Sequence, residues 1–291
     1  MIGVGQTLVN GLLLGGLYAA AAVGFSLVWG IMNLVNLAHG SFIMLGAYVV
    51  FWCFTLWHVD PFLALPIAMA ALFALGFATQ WLLVNQILRA PLLMTLLLFF
   101  GISLVVTDVA YQLWSPSLRT VQLAYGSAGL HIGPIIVPFV RLAALTIAVA
   151  LTGALSWYLN HTRGGLAILA TGLDQEAARL VGINPRYTYA MTFAIGAAFA
   201  GAAGVLVAIV YPISPTIGDP YTLRSFVVVV LGGVGNVWGA VLGGLLFGVV
   251  QAAGGFVFGS GFEDAIAFGV MVLVLLIRPQ GLIGRPFYST S

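Results

Sequence analysis

Apolar runs divide the chain into eight stretches long enough to cross a hydrocarbon layer: 6–31, 37–57, 62–87, 91–115, 137–160, 188–211, 237–258 and 262–278. A helix needs about 20 apolar residues to cross a core of roughly 30 Å, and it bonds its own backbone amides where no water can. A ninth apolar piece, 222–234, is short for a crossing and is expected as a half-helix or re-entrant segment. Two long connections separate the runs. The one at 115–137 is rich in Gly, Pro and Ser and reads as an outer cap. The one at 161–187 is the most polar part of the chain, and long connections of this kind often carry function. The pattern predicts an all-α polytopic membrane bundle of about eight or nine spans, with broken or re-entrant helices, in a single transmembrane domain over 1–291.

Composition supports that reading. Of 291 residues, 62% are hydrophobic and 5% are charged, against about 25% charged in ordinary soluble domains. No basic stripe is present to neutralise phosphates, so nucleic acid is excluded as a partner; membrane lipid is the expected surrounding. The basic residues are all arginine. Arg89, the group Arg163, Arg179 and Arg186, and the pair Arg278 and Arg285 fall in three connections. They share the cytoplasmic face of a bacterial inner membrane if the N-terminus is outside and the C-terminus inside. Asp60, Asp219, Glu263 and Asp264 then lie outside, with Arg119, Arg141 and Arg224 near the outer face. The scheme closes if 222–234 enters from outside and 237–258 returns. Met1–Thr7 carries no positive charge, and the apolar stretch after it exceeds a signal-peptide core, so a retained first span is expected. The single cysteine, Cys53, forms no internal disulfide.

Candidate chemistry lies where polar groups interrupt the spans. In WGIMNLVNLAHGSF (29–42), Asn33, Asn36, His39 and Ser41 either line a substrate path or cap the helix ends at a turn. A water-channel reading of residues 36–38 lacks the turn-forming proline and a second copy. Asn236 stands at a similar break, and Thr95, Thr107 and Asp108 are further path candidates, Asp108 alone being an intramembrane carboxylate. The segments 40–50 and 235–248 echo each other, each starting a helix after a Gly-containing break, as in transporters built from duplicated halves. Gly235, Gly239 and Gly243 recur every four residues, like Gly11 and Gly15, and suit close helix packing. The doublet Gly232-Gly233 suits a hinge. No Walker-type loop with Lys, zinc motif or paired acids occurs, so catalysis by this chain is not expected. The competing class is a self-sufficient secondary carrier or exporter of small metabolites.

The stretch LATGLDQEAARLVGINPRYTYAMTF (169–193) reads as a helix over 167–181, ended by Gly182 and Pro185. Leu169, Leu173, Ala177 and Val181 form an apolar stripe, and Glu176 and Arg179 can pair. Glu176-Ala177-Ala178, followed after three residues by Gly182, resembles the coupling-loop signature of ABC importer permeases. The Leu-Pro ending of the longer signature is replaced by nearby Asn184-Pro185. With the blocks at 11–48, 179–208, 226–251 and RPQGL at 278–282, the chain resembles the branched-chain amino acid ABC transporter permease family, specifically its shorter permease subunit. The resemblance implies an ABC importer permease fold that carries branched-chain amino acids or a related small solute. It also implies as partners a homologous permease subunit in a heterodimer, two ATP-binding subunits and an extracytoplasmic solute-binding protein. ATP-Mg would sit on the partner subunits, with no cofactor bound by this chain. It assigns coupling to Asp174, Glu176, Ala177, Ala178, Arg179, Gly182 and Ile183 within a cytoplasmic loop at about 161–187.

Overall fold

The structure is a computed structural model that describes residues 2–284 except 89, 124 and 127. Arg89 and Arg285, used above for orientation, lie outside the described residues. Helices run in the order α1 (Ile2–Met32), α2 (His39–Trp57), α3 (Pro61–Thr79), a π-helical turn (Gln80–Val84), α4 (Asn85–Ile87), α5 (Leu92–Trp114) and α6 (Phe139–His161). They continue as α7 (Arg163–Leu173), α8 (Gln175–Leu180), α9 (Pro185–Val210), α10 (Gly218–Gly232), α11 (Val237–Phe258), a 3-10 turn (Ser260–Phe262) and α12 (Glu263–Ile277). Among the described residues, eight helices are long and apolar enough to cross a membrane, α3 and α4 counting as one with the π-turn. The ninth apolar piece is α10, a half-helix as its length implied.

Two helices form the centre. α1 and α9 are buried along most of their length, and small residues decide what they touch. Apart from Ile195 and Phe199, the α9 run Ala194–Gly204 is all Ala and Gly, so neighbouring backbones approach closely and gain dispersion contact. A Cβ built on Gly24 of α1 would meet Phe199 Cβ at 2.8 Å, and one built on Gly46 of α2 would meet Gly201 Cα at 2.7 Å. A Cβ on Gly76 of α3 would lie 2.5 Å from that of Ala197. α11 lies antiparallel to α1: a Cβ on Gly15 would fall 2.7 Å from Leu245 Cα, and one on Gly11 2.8 Å from Val249 Cα.

The glycine series of α11 divides differently from the expected single face. Gly244 and Gly248 face α1, Gly239 and Gly243 face α10, and Gly235 precedes the helix with φ +79°, packed against Gly30. Spacing alone showed that these residues could approach a neighbour, without showing which one.

The connection at 115–137 contains a β-hairpin that its Gly and Pro content concealed. β1 (Gly129–Ile132) pairs antiparallel with β2 (Ile135–Pro138) around Gly133-Pro134. This hairpin end of the bundle is tied down at three places. Gln6 exchanges two side-chain hydrogen bonds of 2.8 Å with the backbone of Ile136. Tyr125 donates to Asp60 Oδ2 (2.5 Å), and burial followed by that carboxylate pushes its hydroxyl up to about 12, so it stays a donor at neutral pH. Arg119 and Ile213 exchange backbone bonds of 2.9 and 2.7 Å, linking the cap to the segment before α10. The opposite end carries α7 and α8.

Candidate translocation and coupling site

The segment 33–38 leaves α1 at the α7–α8 end and turns back into the bundle before α2 begins. The segment 211–217 leaves α9 at the hairpin end and turns inward before α10 begins. The starts of α2 and α10 therefore meet inside the bundle, and the two helices run from there to opposite ends. Gly40 N–H donates to Thr222 Oγ1 (2.9 Å), and a Cβ on Gly218 would fall on the carbonyl of Gly40. Each helix start carries roughly half a positive charge from its free N–H groups, so their approach needs acceptors at hand, and Thr222 supplies one. Ser41 Oγ lies 2.9 Å from Ser103 Oγ and joins α5 to this point.

The structure separates the predicted path residues. His39 is fully buried and donates through Nε2 to the Ala21 carbonyl (2.8 Å), its ring edge-on to Phe25. Asn36 is also buried, and its Oδ1 accepts from Ala38 N (3.0 Å). These bonds hold the re-entrant turn in shape without capping a helix end, since α2 starts with no side-chain cap. Asn33 is exposed and ends α1 with φ +53°. Ser41 reaches the junction. Thr95 is buried on α5, Thr107 is half-buried and Asp108 is exposed.

Asn236 lies at the α7–α8 end, capping α11 through Trp238 N (3.1 Å) and Gly239 N (3.0 Å). It shares that end with Asn33 and is not brought to Ser41 at the junction. The counterpart of the 33–38 break is 211–217 rather than the segment before 235, because the break inside the bundle precedes α10 and not α11.

Gly232 and Gly233 do sit at a break. Gly233 ends α10 with φ +106°, in the region only glycine enters freely. The RPQGL segment closes this end: Leu282 N donates to Leu231 O (2.8 Å) and Ile283 N to Gly232 O (3.1 Å). These bonds satisfy carbonyls that a helix end leaves open.

Sequence reasoning missed a polar network beside the junction. Arg224 of α10 pairs with Asp264 of α12 through Nη2–Oδ2 (2.9 Å) and Nε–Oδ1 (3.2 Å). Gln251 of α11 donates to Asp264 Oδ1 (2.7 Å), and Tyr18 of α1 donates to Gln251 Oε1 (2.6 Å). The guanidinium also lies over the rings of Tyr18 and Tyr221, at 5.6 and 5.8 Å. Arg224, read from sequence as near-surface charge, is thus turned inward. The available signal was Gln251, a polar residue in the middle of an apolar span, since such groups find partners in neighbouring helices.

At the other end, the helix expected over 167–181 is two helices. Asp174 leaves helical geometry (φ −153°, ψ 110°) and caps α8 by accepting from Glu176 N (2.9 Å) and Ala177 N (3.0 Å). An Asp followed by Gln-Glu is a helix-start signal that the longer apolar period masked. Leu173, Ala177 and Val181 of the expected stripe are exposed, with the break at Asp174 falling between the first two, and Ala178 is buried. Glu176 and Arg179 pair at 2.9 Å. Gly182 (φ +85°) closes α8, with Ile183 N donating to Ala178 O (3.0 Å). The elbow is backed by close packing, a Cβ on Gly172 of α7 falling 2.9 Å from the Ile31 side chain of α1. Asn184 then caps α9 by accepting from Arg186 N (3.1 Å). Leu173, Leu180 and Val181 project from the elbow at 82, 90 and 76% exposure.

Comparisons with known proteins bear on the whole chain. The chain is 33% identical to the high-affinity branched-chain amino acid transport system permease protein BraD of Pseudomonas aeruginosa, over 97% of this chain and 96% of that protein. It is 31% identical to the corresponding permease protein LivH of Escherichia coli, with the same coverage of each. Similarity extends to the permease protein LivM of Escherichia coli, 28% identical over 92% of this chain and 68% of that protein. No solved structure matches. The family described as branched-chain amino acid transport system / permease component matches residues 7–275. With eight apolar helices and relatives that are transport permeases, the chain is a multi-pass membrane protein and belongs to the branched-chain amino acid transport system permease family.

Proposed function

We propose that the chain is one of two permease subunits of an ATP-driven importer that takes up branched-chain amino acids, or a closely related small solute, from a binding protein. The observation that carries the proposal is the α7–α8 elbow. Three large apolar side chains stand exposed on the most polar part of an otherwise membrane-embedded chain, and apolar surface of this kind marks a docking site. A partner with a hydrophobic cleft, here an ATP-binding subunit, covers it, and ATP-Mg belongs to that partner. Arg163, Arg179, Arg186 and Arg278 flank this end, which supports its assignment to the cytoplasm. The N-terminus and the hairpin cap are then outside, where residues 115–137 and 211–217 receive the binding protein.

Force has a short route. α8 is joined through Gly182, Ile183 and Asn184 to α9, the helix against which α1, α2 and α3 pack. A push on the elbow therefore moves the core, and with it the junction of α2 and α10.

Gly182→Val is expected to uncouple the importer. A β-branched residue at φ +85° costs about 1–2 kcal/mol in backbone strain, and it turns α8 off its mount without meeting any neighbour. Reconstituted with its partners, this variant should hydrolyse ATP while uptake falls about tenfold, the equivalent of 1.4 kcal/mol; unchanged uptake would remove the coupling assignment. Wild-type protein alone in liposomes should not accumulate substrate under any ion gradient. Accumulation there would point instead to a self-sufficient carrier.

A further inference from the structure

The bonds in the network around Arg224 are unevenly distributed. Asp264 Oδ1 accepts from both Arg224 Nε and Gln251 Nε2, whereas Oδ2 accepts only from Arg224 Nη2. A guanidinium presents five N–H donors, and Nη1, which carries two of them, bonds to no described residue. The open donor edge of Nη1 and Nη2 therefore adjoins the half-used acceptor Oδ2, because Nη2 belongs to both. Neither group is sealed: 21% of the Arg224 side chain and 43% of the Asp264 side chain remain exposed. The rings of Tyr18 and Tyr221 beneath the guanidinium limit its rotation. The cluster also lies deep. Gln251 stands fourteen residues after Val237 and seven before Phe258, about 21 and 10 Å from the two ends of α11 at 1.5 Å per residue. Tyr18 has a similar depth in α1, sixteen residues after Ile2 and fourteen before Met32.

At that depth hydrocarbon offers an exposed charge neither hydrogen bonds nor counter-charge, and such groups mark places that polar solutes reach. Holding α10 to α12 does not by itself call for ions, since apolar side chains of similar volume can tie helices as firmly. The chemistry of the open edge says what fits it. A simple anion would satisfy Arg224 and be repelled by Asp264, and a simple cation would do the reverse. A zwitterion satisfies both and brings no net charge into a region where net charge is costly. In an α-amino acid the carboxylate and the ammonium sit on one carbon, the short separation that an adjoining donor edge and acceptor require. We infer that Arg224 and Asp264 form a subsite for the charged end of a free amino acid. The solute carboxylate lies on Nη1 and Nη2 of Arg224, and its ammonium on Asp264 Oδ2. The solute side chain takes no part, so selection among amino acids falls to the binding protein. The solute's class rests on the importer reading proposed above.

The test uses the membrane complex, both permeases with both ATP-binding subunits, in lipid nanodiscs, and saturation-transfer NMR, which detects weakly held ligands. The probes are leucine, leucinamide (no carboxylate) and 4-methylpentanoate (no ammonium). Leucine should give a saturable signal about tenfold above either analogue, because each analogue forfeits a charge-assisted bond. In the double variant Arg224→Gln with Asp264→Asn, a neutral pair that can still hydrogen-bond, leucine should fall to the level of the analogues. A tie between helices would not distinguish the three probes. No leucine signal, equal signals from all three probes in the unmodified complex, or a leucine signal unchanged in the double variant would each overturn the subsite. The probe comparison needs no variant, so it decides even where the double variant does not assemble. Such a failure alongside ATP-dependent leucine uptake by the complete importer strikes the subsite alone. Absence of ATP-dependent uptake by the unmodified importer strikes the importer reading itself.

Discussion

Arg224→Ala is expected to reduce uptake by the assembled importer at least about tenfold, with α10 losing its hold on α11 and α12. Removing one partner of a fully buried ion pair costs ~3–5 kcal/mol, because the other charge is left uncompensated. Here Asp264 keeps partial access to solvent, which lowers the expected cost to about 2–3 kcal/mol. The alanine variant also abandons two ring faces, those of Tyr18 and Tyr221. Arg224→Lys should recover only part of the loss, since an ammonium cannot reproduce the two parallel bonds to Asp264. The double exchange Arg224→Asp with Asp264→Arg restores opposite charges and should recover more activity than either single change. Uptake at the unmodified level in Arg224→Ala would mean that the network does not position the half-helix.

Gly218→Leu is the second large effect expected. Even a Cβ at this position falls on the backbone of Gly40, and backbone cannot rotate away as a side chain can. The α10 start would have to withdraw from the α2 start, breaking the Gly40–Thr222 bond and undoing the packing around it. Inserting bulk into a close-packed contact costs about 1–3 kcal/mol, more where backbone must shift. Uptake should fall below detection, and the purified protein should aggregate at a lower temperature. Gly269→Leu is the control: nothing lies within 4 Å of a Cβ built on this α12 glycine, and that variant should insert, assemble and transport normally. Equal behaviour of the two variants would show that the meeting of α2 and α10 carries no constraint.

Span positions were legible because a hydrocarbon layer imposes one length on every crossing. The last stretch, expected over 262–278, is found as Ser260–Ile277 with its opening turn, and the short piece expected as a half-helix is α10. The family blocks were legible for another reason: RPQGL and the glycine-rich runs are places where the backbone itself makes the contact, so few residues serve. What could not be read was pairing. Tyr18, Arg224, Gln251 and Asp264 look like isolated polar residues until four helices bring them together. The inward course of 211–217 resembles any surface loop containing Pro and Ser. His39 and Asn36 were conspicuous as polar groups in an apolar run, but periodicity does not say whether a side chain turns into a passage or back onto its own chain. Asp174 differs: its cap signal is present in the sequence, but the apolar period on either side of it runs straight through.

The contact between α1 and α11 has a consequence for biogenesis. The hydrogen bond from Tyr18 to Gln251 spans 233 positions, so α1 pairs with a helix synthesised long after it. At roughly 5–20 residues per second, the interval is about 10–50 s. Throughout that time the notch at Gly11 and Gly15 faces lipid or a chaperone, a period in which the cell's quality-control machinery can still reject the nascent chain.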